Sequence, residues 1–125
     1  MSPRLTVYYN TKCPVCDGGI EWQRSRLVQA VRTEVIEFRD INLAPNALAH
    51  FGAGLEDVRR RLHAVDADGQ LHVGADCAIA IWRLTPGDAW LARIVGSPAI
   101  RPIARAVYDR FADLLYAWNR RKGHW

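Results

Sequence analysis

Residues 5–16, LTVYYNTKCPVC, join a short apolar and aromatic run to a pair of cysteines. The run Leu5–Tyr9 is typical of a strand buried inside a sheet, and the polar residues 10–12 end it. From Pro14 onward the apolar residues recur at helical spacing, and proline is favoured in the first turn of a helix. The sequence therefore predicts a buried strand that leads directly into a helix, with the two cysteines at the junction.

The chain after this junction continues to alternate strands and helices. Residues 34–41 are predicted as a second strand, and a helix between two strands requires a parallel β-α-β crossover. Residues 55–62 form a candidate short helix after an irregular segment. Asp68-Gly69 supplies the positive φ that a tight hairpin turn requires, so residues 63–66 and 71–73 are predicted to pair as a hairpin.

The part of the chain after the hairpin is predicted to be helical. Asp76 can cap one helix, and a short helix is expected at residues 89–95. The clearest amphipathic pattern of the chain follows, with apolar residues at three- and four-residue steps: Ile100, Ile103, Ala104, Val107, Phe111, Leu114, Leu115 and Trp118. We expect this last helix to close over the core, and the five tryptophans to serve mainly in packing. The predicted order is β-α-β-α-β-β-α with an added C-terminal helix.

Composition and charge limit the class of protein. A chain of 125 residues with 50% hydrophobic and 24% charged residues fits one folded domain, residues 1–125. The net charge is +4, but the sequence shows no basic stripe with aromatic stacking positions on one exposed face. We therefore expect no nucleic-acid partner. No apolar run reaches the ~18 residues that cross a bilayer, so no membrane contact is expected. Three cysteines without a signal-peptide pattern predict a reducing, cytoplasmic location.

Cys13 and Cys16 form a C-x-x-C pair at the start of the first predicted helix. Only a thiolate attacks a disulfide, so the nucleophile must be accessible and ionised near neutral pH. Free N–H groups at the helix start and the charge of Lys12 favour the ionised form of Cys13, and we expect its pKa to be lowered. Cys16 lies one turn further on and can resolve a mixed disulfide. Asn10 and Pro14 are the other candidate loop residues, and Pro14 fixes the turn.

Other interpretations of the cysteines remain open. A zinc site normally requires four ligands, whereas only Cys77 and four scattered histidines remain, so no metal ligands are assigned. The chain could instead be a zinc-binding module or a noncatalytic partner-binding module that uses its basic C-terminal helix. Cys77 itself is expected to be packed in the core, with a peroxide-sensing third thiol as the alternative.

Three blocks of sequence carry a resemblance to a known family: residues 8–16, residues 74–78 (GADCA) and residues 102–121, with Val107-Tyr108 and Trp118-Asn119-Arg120. In this order they resemble the DCC family of thiol-disulfide oxidoreductases. The resemblance implies a thioredoxin-like α/β fold with a central four-stranded mixed sheet, and disulfide reductase activity. It also implies a disulfide-containing protein or small thiol as substrate, with glutathione or a reductase as electron donor and no bound cofactor.

The resemblance also points to further residues. The family usually has Asp-Gly before its first cysteine, where this chain has Asn10-Thr11, so Asp40 becomes the candidate proton relay, with a loop-capping role as the alternative. Thioredoxins and glutaredoxins carry a cis-proline before the third core strand, whereas residues 61–63 read RLH. Gly74-Ala75-Asp76 occupies the place at which glutaredoxins hold glutathione, with N-capping by Asp76 as the alternative.

Overall fold

Four strands form one mixed sheet in the order β2-β1-β3-β4 in the computed structural model, which describes residues 4–29, 36–85 and 87–124. Strand β1 pairs in parallel with β2 and antiparallel with β3, and β3 pairs antiparallel with β4. The strands are β1 (Leu5–Tyr9), β2 (Ile36–Asp40), β3 (His63–Asp66) and β4 (Leu71–Val73). The predicted α/β, thioredoxin-like sheet is confirmed, and its hairpin strands have the predicted bounds.

The described part of the chain also contains five α-helices. They are α1 (Pro14–Gln29), α2 (Leu55–Arg60), α3 (Ala75–Leu84), α4 (Ala89–Val95) and α5 (Arg101–Lys122). Helix α1 begins at the predicted proline, and the start of the predicted second strand, residues 34 and 35, lies outside the described residues. Two short 3-10 turns, Ile41–Leu43 and Ala49–Phe51, follow β2, so the strand ends at Asp40, one residue before the predicted end at Ile41.

Strand β1 has a neighbouring strand at each edge, and a cluster of buried side chains covers each of its faces. Successive side chains of a strand point to opposite faces. One face contributes to a cluster formed by Leu5, Val7, Tyr9, Ile20, Ile36, Ala64, Cys77 and Ile81. The other face contributes to a second cluster formed by Tyr8, Ile41, Leu48, Ala53 and Val58. These two clusters fix the carboxyl end of β1, and with it the start of α1.

Helix α5 corrects one expectation, because the apolar stripe read from the sequence does not close over the core. Its large side chains are exposed, with Val107 64% and Leu114 58% accessible. The helix instead meets the domain through a neighbouring face that carries Tyr108, Ala112 and Asn119. Spacing alone shows that a helix is amphipathic, but a packed tyrosine and asparagine can outweigh a more apolar flank when their hydrogen bonds are satisfied.

The tryptophans differ from expectation in the same way. Trp22, Trp90 and Trp118 are 62%, 57% and 40% exposed, so these three are not core residues. Trp82 is half-buried on α3. Among the described helices, none is both long and apolar enough to traverse a lipid bilayer.

Candidate active site

Cys13 lies in the short turn between β1 and α1. Its backbone N–H donates to the carbonyl of Asn10 at 3.2 Å, which closes the turn, and its carbonyl accepts from the N–H of Asp17 at 2.9 Å in the first helical turn. The backbone N–H of Cys16 donates to Sγ of Cys13 at 3.3 Å. The sulfur of Cys13 therefore receives one of the N–H groups that the start of a helix leaves without an intrahelical partner.

Cys13 and Cys16 approach within 3.0 Å of each other, and both are free thiols. The thiol of Cys16 donates to the sulfur of Cys13, and this hydrogen bond is the largest cause that lowers the pKa of Cys13 to about 6. Burial opposes the shift, while N–H groups of Cys16 and Val15 and the amide of Asn119 add to it. The same hydrogen bond, together with burial, raises the pKa of Cys16. The first proton to leave the pair belongs to Cys13.

Asn119 of α5 supplies a donor that the sequence did not identify. Its Nδ2 donates to Sγ of Cys13 at 3.1 Å, across 106 residues of sequence, and its side chain is 1% exposed. Nδ1 of His124 lies 2.6 Å from Oδ1 of Asn119, and this contact turns the NH2 group of the amide toward the sulfur. The available signal was spacing, because Asn119 follows Tyr108 and Ala112 on one face of the helix.

The accessibility expected for Cys13 is wrong for this conformation. Its side chain is 1% exposed, whereas Cys16 is half-buried. The reason is the position of α5, whose Asn119 covers the sulfur from the outside. Both cysteines nevertheless line a cavity of about 240 Å³ between α1, α2, α3 and α5. The sulfur of Cys13 is therefore nearly inaccessible to bulk solvent but belongs to a residue that lines this partly open cavity.

The other candidates in the turn occupy different positions. Lys12 is exposed, and Pro14 begins α1 and is also exposed. Asn10 is 2% exposed, and its Oδ1 accepts from the backbone N–H of Lys12 at 3.1 Å and from Nδ2 of Asn42 at 2.7 Å. The hydrogen bonds that lower the pKa of Cys13 come from Cys16, Asn119 and the start of the helix. Asn10 thus ties the turn to the segment after β2.

Asp40 belongs to that same segment. It accepts from Oγ1 of Thr11 at 2.7 Å and from the backbone N–H of Asn42 at 3.0 Å, and so caps the 3-10 turn that follows β2. Burial would raise its pKa, but the hydrogen bonds from Thr11 and Asn42 outweigh burial and lower it. None of the hydrogen bonds described for Asp40 reaches a cysteine, so its place in the structure is that of a loop cap.

Gly74, Ala75 and Asp76 stand apart from the cavity beside the cysteines. Helix α3 begins after Gly74 without a side-chain cap, so the expected N-capping by Asp76 is wrong. The carboxylate of Asp76 instead lies 3.1 Å from Nη2 of Arg105, on α5. Gly74 has φ +66°, and a Cβ there would lie 3.2 Å from the ring of Tyr108, so close packing against α5 explains this glycine.

The segment before β3 contains no cis peptide bond, as is true of all the described backbone. The N–H of Leu62 donates to Oη of Tyr108 at 3.1 Å, and the carbonyl of Leu62 accepts from the N–H of Gly74 at 2.8 Å. Both backbone groups of Leu62 are therefore used inside the protein. Burial raises the pKa of Tyr108, which keeps this hydroxyl neutral.

The third cysteine and the histidines form no second site. Cys77 is 0% exposed in the first core cluster, and burial raises the pKa of its thiol. His63 is 5% exposed, and burial lowers the pKa of its ring. Within residues 4–29, 36–85 and 87–124, no three His, Cys, Asp or Glu side chains are grouped to hold a metal ion.

Comparison with protein families identifies a family that covers most of the chain. The model of the family described as DCC1-like thiol-disulfide oxidoreductase matches residues 7–121. Comparison with curated proteins and with solved structures gave no match. The matched stretch contains the last three residues of β1, both cysteines of the pair and Asn119, so it includes the two side chains described as hydrogen-bonding to the sulfur of Cys13.

Proposed function

The chain belongs to the DCC1-like thiol-disulfide oxidoreductase family, and on that premise we propose that it reduces or exchanges disulfides with Cys13 as the nucleophile and Cys16 as the resolving thiol. The observation that carries this assignment is the opposite shift of the two thiols. The pKa of Cys13 is lowered to about 6 while that of Cys16 is raised. At neutral pH the pair holds one thiolate, on Cys13, and one thiol, on Cys16.

The reaction proceeds in two exchange steps. The thiolate of Cys13 attacks one sulfur of a substrate disulfide, a Cys13–substrate bond forms, and the other half of the substrate leaves as a thiolate that takes a proton from water. Cys16 then loses its proton to solvent and attacks Sγ of Cys13, which releases the second half as a thiol. Two electrons pass from the dithiol to the substrate, and the protein ends with a Cys13–Cys16 disulfide.

Before the first step, three hydrogen-bond donors stabilise the thiolate of Cys13. The N–H of Cys16 and the amide of Asn119 hold the negative charge in place, at 3.3 Å and 3.1 Å. The thiol of Cys16 donates as well. This hydrogen bond breaks when Cys13 enters a mixed disulfide, because the sulfur of Cys13 then loses its negative charge. The proton on Cys16 is then held less tightly, because the charge of Cys13 was one of the causes that raised its pKa.

The oxidised dithiol must be reduced before another turnover. We propose glutathione or a protein reductase as the donor, acting through the half-buried Cys16, and a reducing, cytoplasmic setting in which that donor is abundant. A disulfide-containing protein or a small thiol compound is the proposed substrate. The chemistry resides in the two cysteines and requires no bound cofactor.

The assignment is tested by trapping. With Cys16→Ser the mixed disulfide on Cys13 cannot be resolved, so incubation with a disulfide should give a stable adduct on Cys13, measured by intact mass and peptide mapping. The matched variant Cys13→Ser keeps Cys16 and Cys77 and should give less than a tenth of that adduct. Equal adduct formation by the two variants would show that Cys13 is not the nucleophile. Absence of an adduct on Cys13 with every disulfide tested would reject the proposed function.

A further inference from the structure

The exchange reaction does not explain the cavity beside the two cysteines. It has a volume of about 240 Å³ and a mostly apolar lining, to which α3 contributes Ile81 and Trp82 and α5 contributes Phe111 and Leu115. Pockets that hold drug-sized ligands usually measure about 300 to 1,000 Å³. The space therefore suits a small apolar group placed directly against Cys13 and Cys16.

Asn10 provides an independent sign of a ligand in this cavity. Its Nδ2 is buried and has no hydrogen-bond partner among the residues that the structure describes, and Asn10 lines the same cavity as the cysteines. The amide cannot be turned around to remove this problem, because its Oδ1 already accepts from the backbone N–H of Lys12, which can only donate. Buried donors of native proteins nearly always have a partner. A ligand with an acceptor oxygen would supply one.

The surroundings of the cavity disfavour a polypeptide substrate. Cys13 is 1% exposed, so a folded protein cannot bring its own disulfide to that sulfur while α5 is in place. The nearby backbone of Leu62 is closed to strand-like pairing, because Tyr108 and Gly74 use both its N–H and its carbonyl. A small disulfide needs neither an exposed sulfur nor a free strand edge.

Charge at the rim of the cavity points to a neutral ligand. Arg59 lies 2.8 Å from the carboxylate of Glu56, and Arg61 lies 2.9 Å from that of Asp109. Two of the three arginines that line the cavity are thus already paired with acids, and the guanidinium of the third, Arg60, lies over the ring of Tyr116. An anionic substrate would have to compete with those carboxylates, whereas an uncharged one would not.

We propose that this cavity is the substrate site for small, uncharged disulfides that carry an apolar arm and a carbonyl acceptor. The inference rests on the proposed function and specifies its substrate class. The apolar arm occupies the cavity, its carbonyl accepts from Nδ2 of Asn10, and the adjoining sulfur forms the bond with Cys13. The other half of the disulfide leaves as a thiol, and attack by Cys16 then releases the bound arm as a second thiol.

The test uses Cys16→Ser and three probes with the same disulfide core: 3,3′-dithiobis(N-benzylpropanamide), 3,3′-dithiobis(propanamide), which lacks the apolar group, and bis(4-phenylbutyl) disulfide, which lacks the carbonyl. The rate of adduct formation on Cys13 is measured by mass spectrometry under pseudo-first-order conditions. We expect the benzylamide probe to react at least tenfold faster than the primary amide and at least threefold faster than the probe without a carbonyl.

Two neighbouring glycines of α1 provide matched variants. A Cβ at either Gly18 or Gly19 would meet no atom within 4 Å, but only Gly19 lines the cavity. Gly19→Phe in the Cys16→Ser background should reduce the preference for the benzylamide probe to less than twofold, and Gly18→Phe should preserve it. Equal rates for the three probes, an unchanged preference with Gly19→Phe, or faster adduct formation with the disulfides of insulin would each overturn the inference while leaving the proposed function intact.

A non-covalent arm separates the two claims further. The variant with both Cys13→Ser and Cys16→Ser is titrated with N-benzylpropanamide, and binding is followed by NMR shifts of the Asn10 side-chain amide. We expect saturable shifts that Gly19→Phe abolishes. Absence of shifts overturns the cavity as a binding site, whereas shifts without any adduct on Cys13 in the first experiment would reject the dithiol chemistry and with it the role of the ligand as substrate.

Discussion

The amide Nδ2 of Asn119 lies 3.1 Å from Sγ of Cys13 and joins the last helix of the chain to the start of the first. This contact makes α5 part of the active site. It also explains why the thiolate can be stabilised although Cys13 is nearly inaccessible, since a buried charge requires hydrogen-bond donors in place of water. A domain truncated before α5 would retain the C-x-x-C pair but lose one of its donors.

Replacement of Asn119 by leucine tests that role. Asn119→Leu keeps a side chain of similar size and removes the donor, so the pKa of Cys13 should rise by about one unit and its thiolate fraction at pH 7 should fall from about nine-tenths to about one half. The change is followed by thiolate absorbance at 240 nm. Arg121→Leu, an exposed position of the same helix, should leave the titration unchanged. An unaltered titration in Asn119→Leu, with an unchanged melting temperature, would contradict the role.

The hydrogen bond from Cys16 is the largest cause of the lowered pKa of Cys13. Cys16→Ala removes that donor, and the pKa of Cys13 should return most of the way to the free value of about 8.5. Cys16→Ser retains a hydroxyl donor, so its pKa should lie between those of the wild-type protein and Cys16→Ala. Titration of the two variants side by side measures the difference, and identical values in both would show that the donor at position 16 has no part in the shift.

The lowered pKa of Cys13 also makes stability depend on pH. Because Cys13 ionises more readily in the folded than in the unfolded chain, the unfolded state binds more protons between the two values, and stability rises with pH up to about 8. The slope due to Cys13 is at most about 1.4 kcal/mol per pH unit. Above that range the raised pKa values of Cys16 and Cys77 act in the opposite direction, so stability should decline.

Urea unfolding of the reduced protein at several pH values measures this effect. His63, whose pKa is lowered by burial, contributes mainly below about 6.5, and Cys16 and Cys77 oppose the rise mainly above about 8, so the interval from pH 7 to about 8 chiefly reports Cys13. The rise in that interval should disappear in Cys13→Ser and in the oxidised protein. Persistence of the rise in Cys13→Ser would assign it to another group.

Tyr108 is expected to stabilise the approach of α5 to β3. Tyr108→Phe leaves the N–H of Leu62 without its acceptor in a part-buried place, and the loss should cost about 1–3 kcal/mol in the free energy of unfolding. The matched variant Tyr116→Phe removes a hydroxyl that binds Glu56 at the exposed surface, and it should cost less than about 1 kcal/mol. Equal losses in the two variants would contradict the proposed importance of the Leu62 contact.

Cys77 should be chemically silent in the native protein. It is 0% exposed and burial raises the pKa of its thiol, so iodoacetamide at pH 8 should alkylate it at least a hundredfold more slowly than Cys13. Peptide mapping after timed alkylation gives both rates. Rapid modification of Cys77 without unfolding would instead support the peroxide-sensing alternative.

The elements that sequence predicted well are those with local causes. The strand Leu5–Tyr9 and the start of α1 follow from a short apolar run and a proline at the first helical position, and the hairpin follows from Asp68-Gly69. The pairing of Cys13 with Cys16 follows from one helical turn. In each case the residues that decide the structure are neighbours in sequence.

The features that sequence did not predict depend on contacts between distant elements. The pattern of α5 showed an apolar stripe, but the face that packs is set by Tyr108 and Asn119, whose partners lie 46 and 106 residues away. The burial of Cys13 follows from that same packing. Asp76 was read as a helix cap, yet arginines of α5 take its carboxylate. No local pattern encodes these choices.

The most direct test of the account is the pH dependence of alkylation of Cys13 in the fully reduced wild-type protein. Iodoacetamide reacts with thiolates only, so the rate at Cys13, followed by peptide mass spectrometry from pH 4 to 10, traces its ionisation. The account predicts a rate that rises with an apparent pKa of about 6 and is nearly constant above pH 7.5. A rate that continues to rise through pH 8.5, as for a free thiol, would contradict it.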